Sequence, residues 1–270
     1  TVFKFTLGYV SPLELVTLAA VVSWLFFAGV LLVTGQWRQL RSHSPRDVLL
    51  GLGIGLLNPV LYYLLLFAAY DRLPAQEAMA LNYTWALTLP LLAAPMLGHR
   101  LSRRELIAAI LSYGGVYIIA TRGEVLSLDF TNPTGVALAL GSTIVWALCW
   151  IANTRHTLSA VSGLFLNFTA AVPLLLGASW FKNVLVDLPV QGLLGGAYIG
   201  LFEMGASFIL WLTAMKLARR TVSISTLIFL SPPVSLLIIW LVLGEPILTS
   251  TLVALGLILI GLWLQHTKSA

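Results

Sequence analysis

Residues 192–215, GLLGGAYIGLFEMGASFILWLTAM, form a 24-residue run with a single ionisable group, Glu203, near its middle. At about 1.5 Å per residue a helix of this length spans roughly 36 Å, enough to cross a hydrocarbon layer of about 30 Å. The run is apolar on every side and lacks the strict alternation of a barrel strand, so it reads as a membrane-spanning helix. Outward from it, eight more apolar runs fall at 12–34, 48–70, 75–97, 105–121, 134–154, 158–180 and 221–243, with the last at 249–265. The whole chain of 270 residues is 59% hydrophobic and 9% charged, with a mean hydropathy of +0.95. Soluble domains average about 45–50% apolar and about 25% charged, which excludes a water-soluble enzyme. Loops are short; only 35–47, 122–133 and 181–191 reach ten residues, so no extramembrane catalytic domain is expected.

The net charge of +5 and pI near 9.6 acquire their meaning from where the basic residues lie. Arg38, Arg41, Arg46, Arg100, Arg103, Arg104, Arg155, Lys216, Arg219, Arg220 and Lys268 fall on one side of the spans, and Lys4, Arg72, Arg122 and Lys182 on the other. Because Lys and Arg are retained in the cytoplasm, the larger group marks that side and the C-terminus lies there. Seven acids, Glu14, Asp71, Glu77, Glu124, Asp129, Asp187 and Glu245, occupy the opposite side, while Asp47 and Glu105 join the basic loops. The basicity is thus a topology signal, and no nucleic-acid partner is expected. The opening residues 1–9, TVFKFTLGY, read as the outer end of an apolar helix whose earlier part lies outside this chain, so ten helices are expected in the intact protein.

A shift of 146 residues aligns Leu64 with Leu210, Ala68 with Ala214, Leu81 with Leu227, Gly98 with Gly244 and Gly115 with Gly261. It pairs helix 48–70 with 192–215 and helix 75–97 with 221–243. The charge map gives the two members of a pair opposite directions, which describes an inverted repeat of two five-helix modules, 1–121 and 134–270, joined by the loop 122–133. Nine spans and the end of a tenth are expected in this all-α membrane protein. Inverted repeats suit alternating access, in which the halves exchange facing about a site near the bilayer midplane. Gly51-x-x-x-Gly55, Gly192-x-x-x-Gly196 and Gly196-x-x-x-Gly200 read as close helix packing rather than as substrate contacts.

Three segments carry a family resemblance: Leu201-Phe202-Glu203-Met204-Gly205 with Phe208-Ile209-Leu210-Trp211; Ala80-Leu81-Asn82-Tyr83-Thr84-Trp85; and Ser231-Pro232-Pro233 followed by Leu243-Gly244-Glu245-Pro246. They resemble the EamA-type modules of the drug/metabolite transporter superfamily over essentially the whole chain. The resemblance implies a ten-helix, two-module exporter with cytoplasmic termini, similar to aromatic amino-acid exporters, and it alone supplies the direction of transport. Two positions depart from the family pattern: Gly98-His99 stands where Gly-Glu is usual, and Ala86 stands where a proline commonly follows the Tyr-x-Trp.

A carboxylate within a span costs about 2.5–3.5 kcal/mol on insertion scales and usually faces a cavity or a partner, so Glu203 is the leading candidate for substrate binding and for proton coupling. Asn58 and Tyr62 share a helix face at i,i+4, as do Glu203 and Ser207, and Asn82 and Trp85 share one at i,i+3. Asn58-Pro59 should also interrupt its helix and free a carbonyl. The series Ser142, Trp146, Trp150 and Asn153 forms a polar and aromatic stripe, while Tyr83, Asn167 and Trp211 lie at similar depth. The expected lining is one acid, several amides and aromatic walls, which suits an amino acid or an amine, since aromatic faces accept both stacking and cations. Amino acids come first, aromatic ones favoured, exported across the inner (plasma) membrane; a passive pore is the alternative. No cofactor or metal site is expected: His43, His99, His156 and His266 are scattered, Cys149 is alone, and no phosphate loop is present. Membrane lipid is the one other expected partner.

Overall fold

The computed structural model describes residues 2–40, 43–97, 103–124, 126, 132–217 and 231–266. Of the positions used above, Arg41, Gly98, His99, Arg100, Asp129, Arg219, Arg220, Leu227 and Lys268 lie outside these, as do 221–230 of the eighth expected span. The described chain is helical throughout, with no strand among the described residues. Five helices are long and apolar enough to cross a membrane: Pro12–Val33, Pro45–Arg72, Pro133–Arg155, Ala160–Phe181 and Val190–Leu217. Their starts follow local chemistry. Ser11 accepts from the Glu14 amide while Glu14 reaches back to the Ser11 amide, closing a capping box before Pro12. Ser44 caps the helix at Pro45 and Ser159 the helix at Ala160.

The expected span 75–97 is two helices, Ala75–Asn82 and Trp85–Leu97, joined by a tightened turn. Asn, Tyr and Thr at 82–84 are poor helix formers, and the Thr84 hydroxyl donates to the Leu81 carbonyl at 2.7 Å, competing with the backbone ladder. Helices Arg103–Ala120, Ser231–Leu243 and Thr249–His266 complete the long elements, with Val2–Leu7 at the start of the described chain.

The chain divides into two compact units, each drawing on both halves of the sequence: residues 2–67 with 148–219, and residues 68–147 with 220–270. In the first unit, helix 12–33 packs on helix 160–181, the 45–55 segment packs on 160–181, and the 190–198 segment packs on 12–33. A shift of 146 exchanges these partners and returns the same set of contacts. Thr17 meets Ser179 through their hydroxyls at 2.9 Å, Trp24 Nε1 donates to Thr169 Oγ1 at 2.9 Å, and Phe27 packs edge-on against Phe168 at 5.2 Å. Rising numbers on one helix meet falling numbers on the other, so the two run antiparallel.

The second unit repeats this exchange between helices 103–120 and 249–266. A β-carbon placed on Gly115 would stand 2.6 Å from the Ala254 carbonyl oxygen, and one on Gly261 would stand 2.6 Å from that of Ala108. Under the shift, 115 maps to 261 and 108 to 254, so these are two copies of one contact. The equivalent helices of both units are therefore antiparallel and related by a local two-fold, which makes the repeat an inverted one. Large exposed apolar side chains such as Leu174, Trp180, Phe181, Leu194 and Leu210 ring the helices, as a lipid solvent requires.

Candidate functional site

The eleven candidate residues fall into two clusters, one per unit. In the first unit, helix 45–72 is broken at Asn58, whose φ of −143° and ψ of 120° are extended. Pro59 causes this: it offers no amide hydrogen and pushes the residue before it out of the helical region. Helicity resumes with the Tyr62 N–H donating to Leu57 O, five residues back. Helix 190–217 carries a matching feature, a π-helical segment at Ile199–Ala206, after which the Ser207 N–H donates to Phe202 O. Wide turns of this kind recur at functional positions in helices.

These turns change which side chains stack. An α-helix places Tyr62 over Asn58 and Ser207 over Glu203, but a five-residue return brings Tyr63 and Phe208 into the same stack. The rings of Tyr63 and Phe208 lie 6.3 Å apart, Phe208 packs edge-on against Trp150 at 5.4 Å, and Trp150 packs on Trp211 at 6.2 Å. Tyr62 lies against Tyr63 at 4.7 Å. Glu203 is exposed at its helix surface and within electrostatic range of the fully buried Tyr63. Among the described residues its carboxylate has no hydrogen-bond or ion-pair partner. Asn58 Oδ1 and Tyr63 Oη are buried and likewise lack one. Ser207 is exposed and Trp211 half-buried.

Asn167 has a different setting. With its amide oriented to satisfy both ends, Nδ2 donates to Gly51 O at 2.8 Å and Gly163 O at 2.9 Å, and Oδ1 accepts from Asn153 Nδ2 at 3.2 Å. Gly55 lies directly against the Asn167 backbone, so these groups fasten helix 45–72 to helix 160–181. Asn153 also donates to Cys149 Sγ at 3.2 Å.

In the second unit, Asn82 Nδ2 donates to Ser142 Oγ at 3.4 Å, and Trp85 meets Trp146 edge-on at 6.1 Å. Thr88 Oγ1 lies 3.1 Å from Thr143 Oγ1 and 3.2 Å from Tyr113 Oη, and Tyr83 is half-buried. Tyr63, Phe208, Tyr113 and the two threonines are additions to the sequence reading. For Tyr63 a signal existed in Pro59, since a break just before it shifts every later side chain by about one position. No group of three or more metal-ligating side chains occurs among the described residues.

Helices of this length and polarity, repeated twice with inverted sense around isolated polar clusters, describe a multi-pass membrane protein. The model of the EamA-like transporter family matches the chain twice, over residues 1–121 and 133–265. An uncharacterized transporter of Bacillus subtilis (strain 168), YvbV, is 24% identical over 270 residues, covering 98% of this chain and 86% of the relative. A solved crystal structure that is 20% identical superimposes with a TM-score of 0.69 over 98% of this chain and 92% of its own, a likeness of fold. These names are those of transporters rather than enzymes. With two matches that together span nearly its whole length, the chain belongs to the EamA-like transporter family.

Proposed function

We propose that this protein is a secondary transporter that exports small organic metabolites by alternating access across the inner (plasma) membrane, with its C-terminus in the cytoplasm. The cargo carries an ammonium group and an apolar or aromatic body; amino acids are the first candidates, aromatic ones favoured, and simple amines the second. Glu203 carries this reading. The residue is exposed, its carboxylate lacks a partner among the described residues, and it lies near a stack of Tyr63, Phe208, Trp150 and Trp211. Holding an acid within a span is costly, so a cationic partner that arrives and leaves, whether substrate or proton, accounts for its being kept. Asn58 Oδ1, with Tyr62, Tyr63 and Ser207 nearby on the same two helices, offers further polar groups to an ammonium. Asn82, Tyr83, Trp85 and Trp146 are proposed as a second, mainly aromatic contribution. The amide of Asn167 is already occupied, at both ends.

Reconstituted protein tests the reading. A thermal-shift screen of amino acids and amines finds the ligand, because a solute that binds the folded form stabilises it. In liposomes, trapped unlabelled solute then accelerates uptake of labelled solute through a carrier; its absence at saturating concentration favours a passive pore. Glu203→Gln keeps size and hydrogen bonding but removes the charge. Losing a charge-assisted hydrogen bond of about 1.5–3 kcal/mol weakens affinity by about 10- to 100-fold. Unaltered affinity and unaltered pH dependence in that variant would overturn the role given to Glu203.

A further inference from the structure

The motif Gly244-Glu245-Pro246 contributes nothing to either cluster, yet the second unit is organised around it. Gly244 has a φ of +66°, a left-handed turn that glycine adopts without cost, and this turns the following residues back toward helix 75–82. Two successive residues of that helix receive them. The Ala75 amide donates to Glu245 Oε1 at 3.1 Å, Gln76 Nε2 donates to Pro246 O at 2.8 Å, and Gln76 Oε1 accepts from the Leu248 amide at 3.4 Å. Glu77, 1% exposed, accepts through Oε1 from Arg122 Nε at 3.0 Å. Arg122 itself stands at a left-handed position, φ 52°, just past the end of helix 103–120.

The charges in this clasp do not balance. Glu77 and Glu245 lie within electrostatic range of each other, and Arg122 is ion-paired with Glu77. Glu124, two residues beyond Arg122, is exposed. Glu77 Oε2 and Glu245 Oε2 are both buried, and among the described residues neither has a donor. Two carboxylates and one guanidinium leave one negative charge, and two acceptor oxygens are withdrawn from solvent with nothing to accept from. A single proton on the pair neutralises the excess charge, as in neighbouring acids that do not both ionise.

We propose that Glu77 and Glu245 form a proton-binding site that closes this clasp, separate from Glu203. Loss of the proton leaves two like charges within electrostatic range of each other and releases the 244–248 segment from the start of helix 75–82. The acid at 245 has no equivalent in the first half, where the shift of 146 puts His99, so the site exists once per chain.

Infrared difference spectroscopy of the full chain in nanodiscs tests this across a pH series. A protonated carboxyl shows a carbonyl stretch that ionised carboxylates lack. Wild type at neutral pH is expected to show such a band, and Glu77→Gln and Glu245→Gln, each made in the Glu203→Gln background so that Glu203 cannot supply it, are expected to lose it. Glu203→Gln keeps it, so failure of this inference and failure of the reading of Glu203 are told apart. A second measurement needs no variant. A proton bound in the folded but not the unfolded state gives stability that is lost as pH rises through the titration of the folded form, so the thermal midpoint of wild type should fall as the clasp deprotonates. Absence of the band at neutral pH, its survival in both clasp variants, or stabilisation by sodium in place of protons would overturn the proposal.

Discussion

Helices 45–72 and 190–217 occupy equivalent places in the repeat and are interrupted at equivalent depth, yet the interruptions are made differently. The first is a break: Pro59 removes a donor and Asn58 leaves the helical region. The second is a widening, in which residues 199–206 stay helical but return their bonds five residues back, with Gly200 and Gly205 giving the room. A side chain on Gly205 would meet Gly200 O at 2.7 Å. Each interruption is anchored by a polar side chain on a packed neighbour. Asn167 takes the Gly51 carbonyl in one case, and Ser23 Oγ lies 2.8 Å from Gly200 O in the other. Only the second carries an acid. The scaffold repeats and the ionisable group it carries does not.

The largest effect should come from removing the room on which the second helix depends. A β-carbon on Gly200 would stand 2.6 Å from the Ala19 carbonyl oxygen and 2.7 Å from Val22 Cβ. Backbone cannot retreat as a flexible side chain can, so Gly200→Leu should cost more than about 3 kcal/mol and abolish the monodisperse peak in size-exclusion chromatography. Gly53→Leu on the first helix is the control, since a β-carbon there meets nothing within 4 Å. Equal loss in both variants would show that general bulk on these helices, rather than the approach to helix 12–33, sets the tolerance.

Next in size is the anchor of the first helix. Asn167→Ala leaves the Gly51 carbonyl and the Asn153 amide without the partner that ties them together. Buried hydrogen bonds between membrane helices contribute about 0.6–1.7 kcal/mol, and one side chain here serves two helices, so a loss of about 1–2 kcal/mol is expected in reversible unfolding in detergent. The variant should remain folded with a lowered midpoint. If Asn167 instead serves the solute directly, affinity falls while the midpoint holds, which would move Asn167 from the packing of this helix into recognition.

The spans and the repeat were legible because lipid demands continuous apolar length and because glycines at Gly115 and Gly261 mark one contact used twice. Glu203 was legible for the same reason, since a charge in such a run is conspicuous. The stacking partners were less so. Reading Asn58 with Tyr62, and Glu203 with Ser207, assumes four-residue returns, and nothing in the composition of residues 199–206 announces five. Pro59 announced a break but not the direction of the shift it produces. The turn at 82–84 was hidden for a similar reason: one threonine hydroxyl competing for a carbonyl leaves no mark on hydropathy. The division into units was also beyond a linear reading. The family match repeats over 1–121 and 133–265, whereas packing draws helices from both stretches.

The smallest effect expected is at the anchor of the second helix. Ser23 Oγ lies 2.8 Å from both Ala19 O on its own helix and Gly200 O on the neighbour, and its single hydrogen can serve one of them at a time. Ser23→Ala therefore removes one shared bond, while the Ala19 carbonyl keeps its place in the helix ladder; about 0.6 kcal/mol is expected, near the average for such bonds. Gly200 O is the group whose position matters, because it lies at the head of the wide turn that ends at Ser207. If that turn depends on the hydroxyl, Ser23→Ala should let the segment relax toward four-residue returns and swing Glu203 away from Phe208. Solute affinity would then fall more than stability. A variant matched to wild type in affinity and within about 0.5 kcal/mol in stability would show that glycine spacing alone holds the second interruption, in contrast to the first, where proline and Asn167 act together.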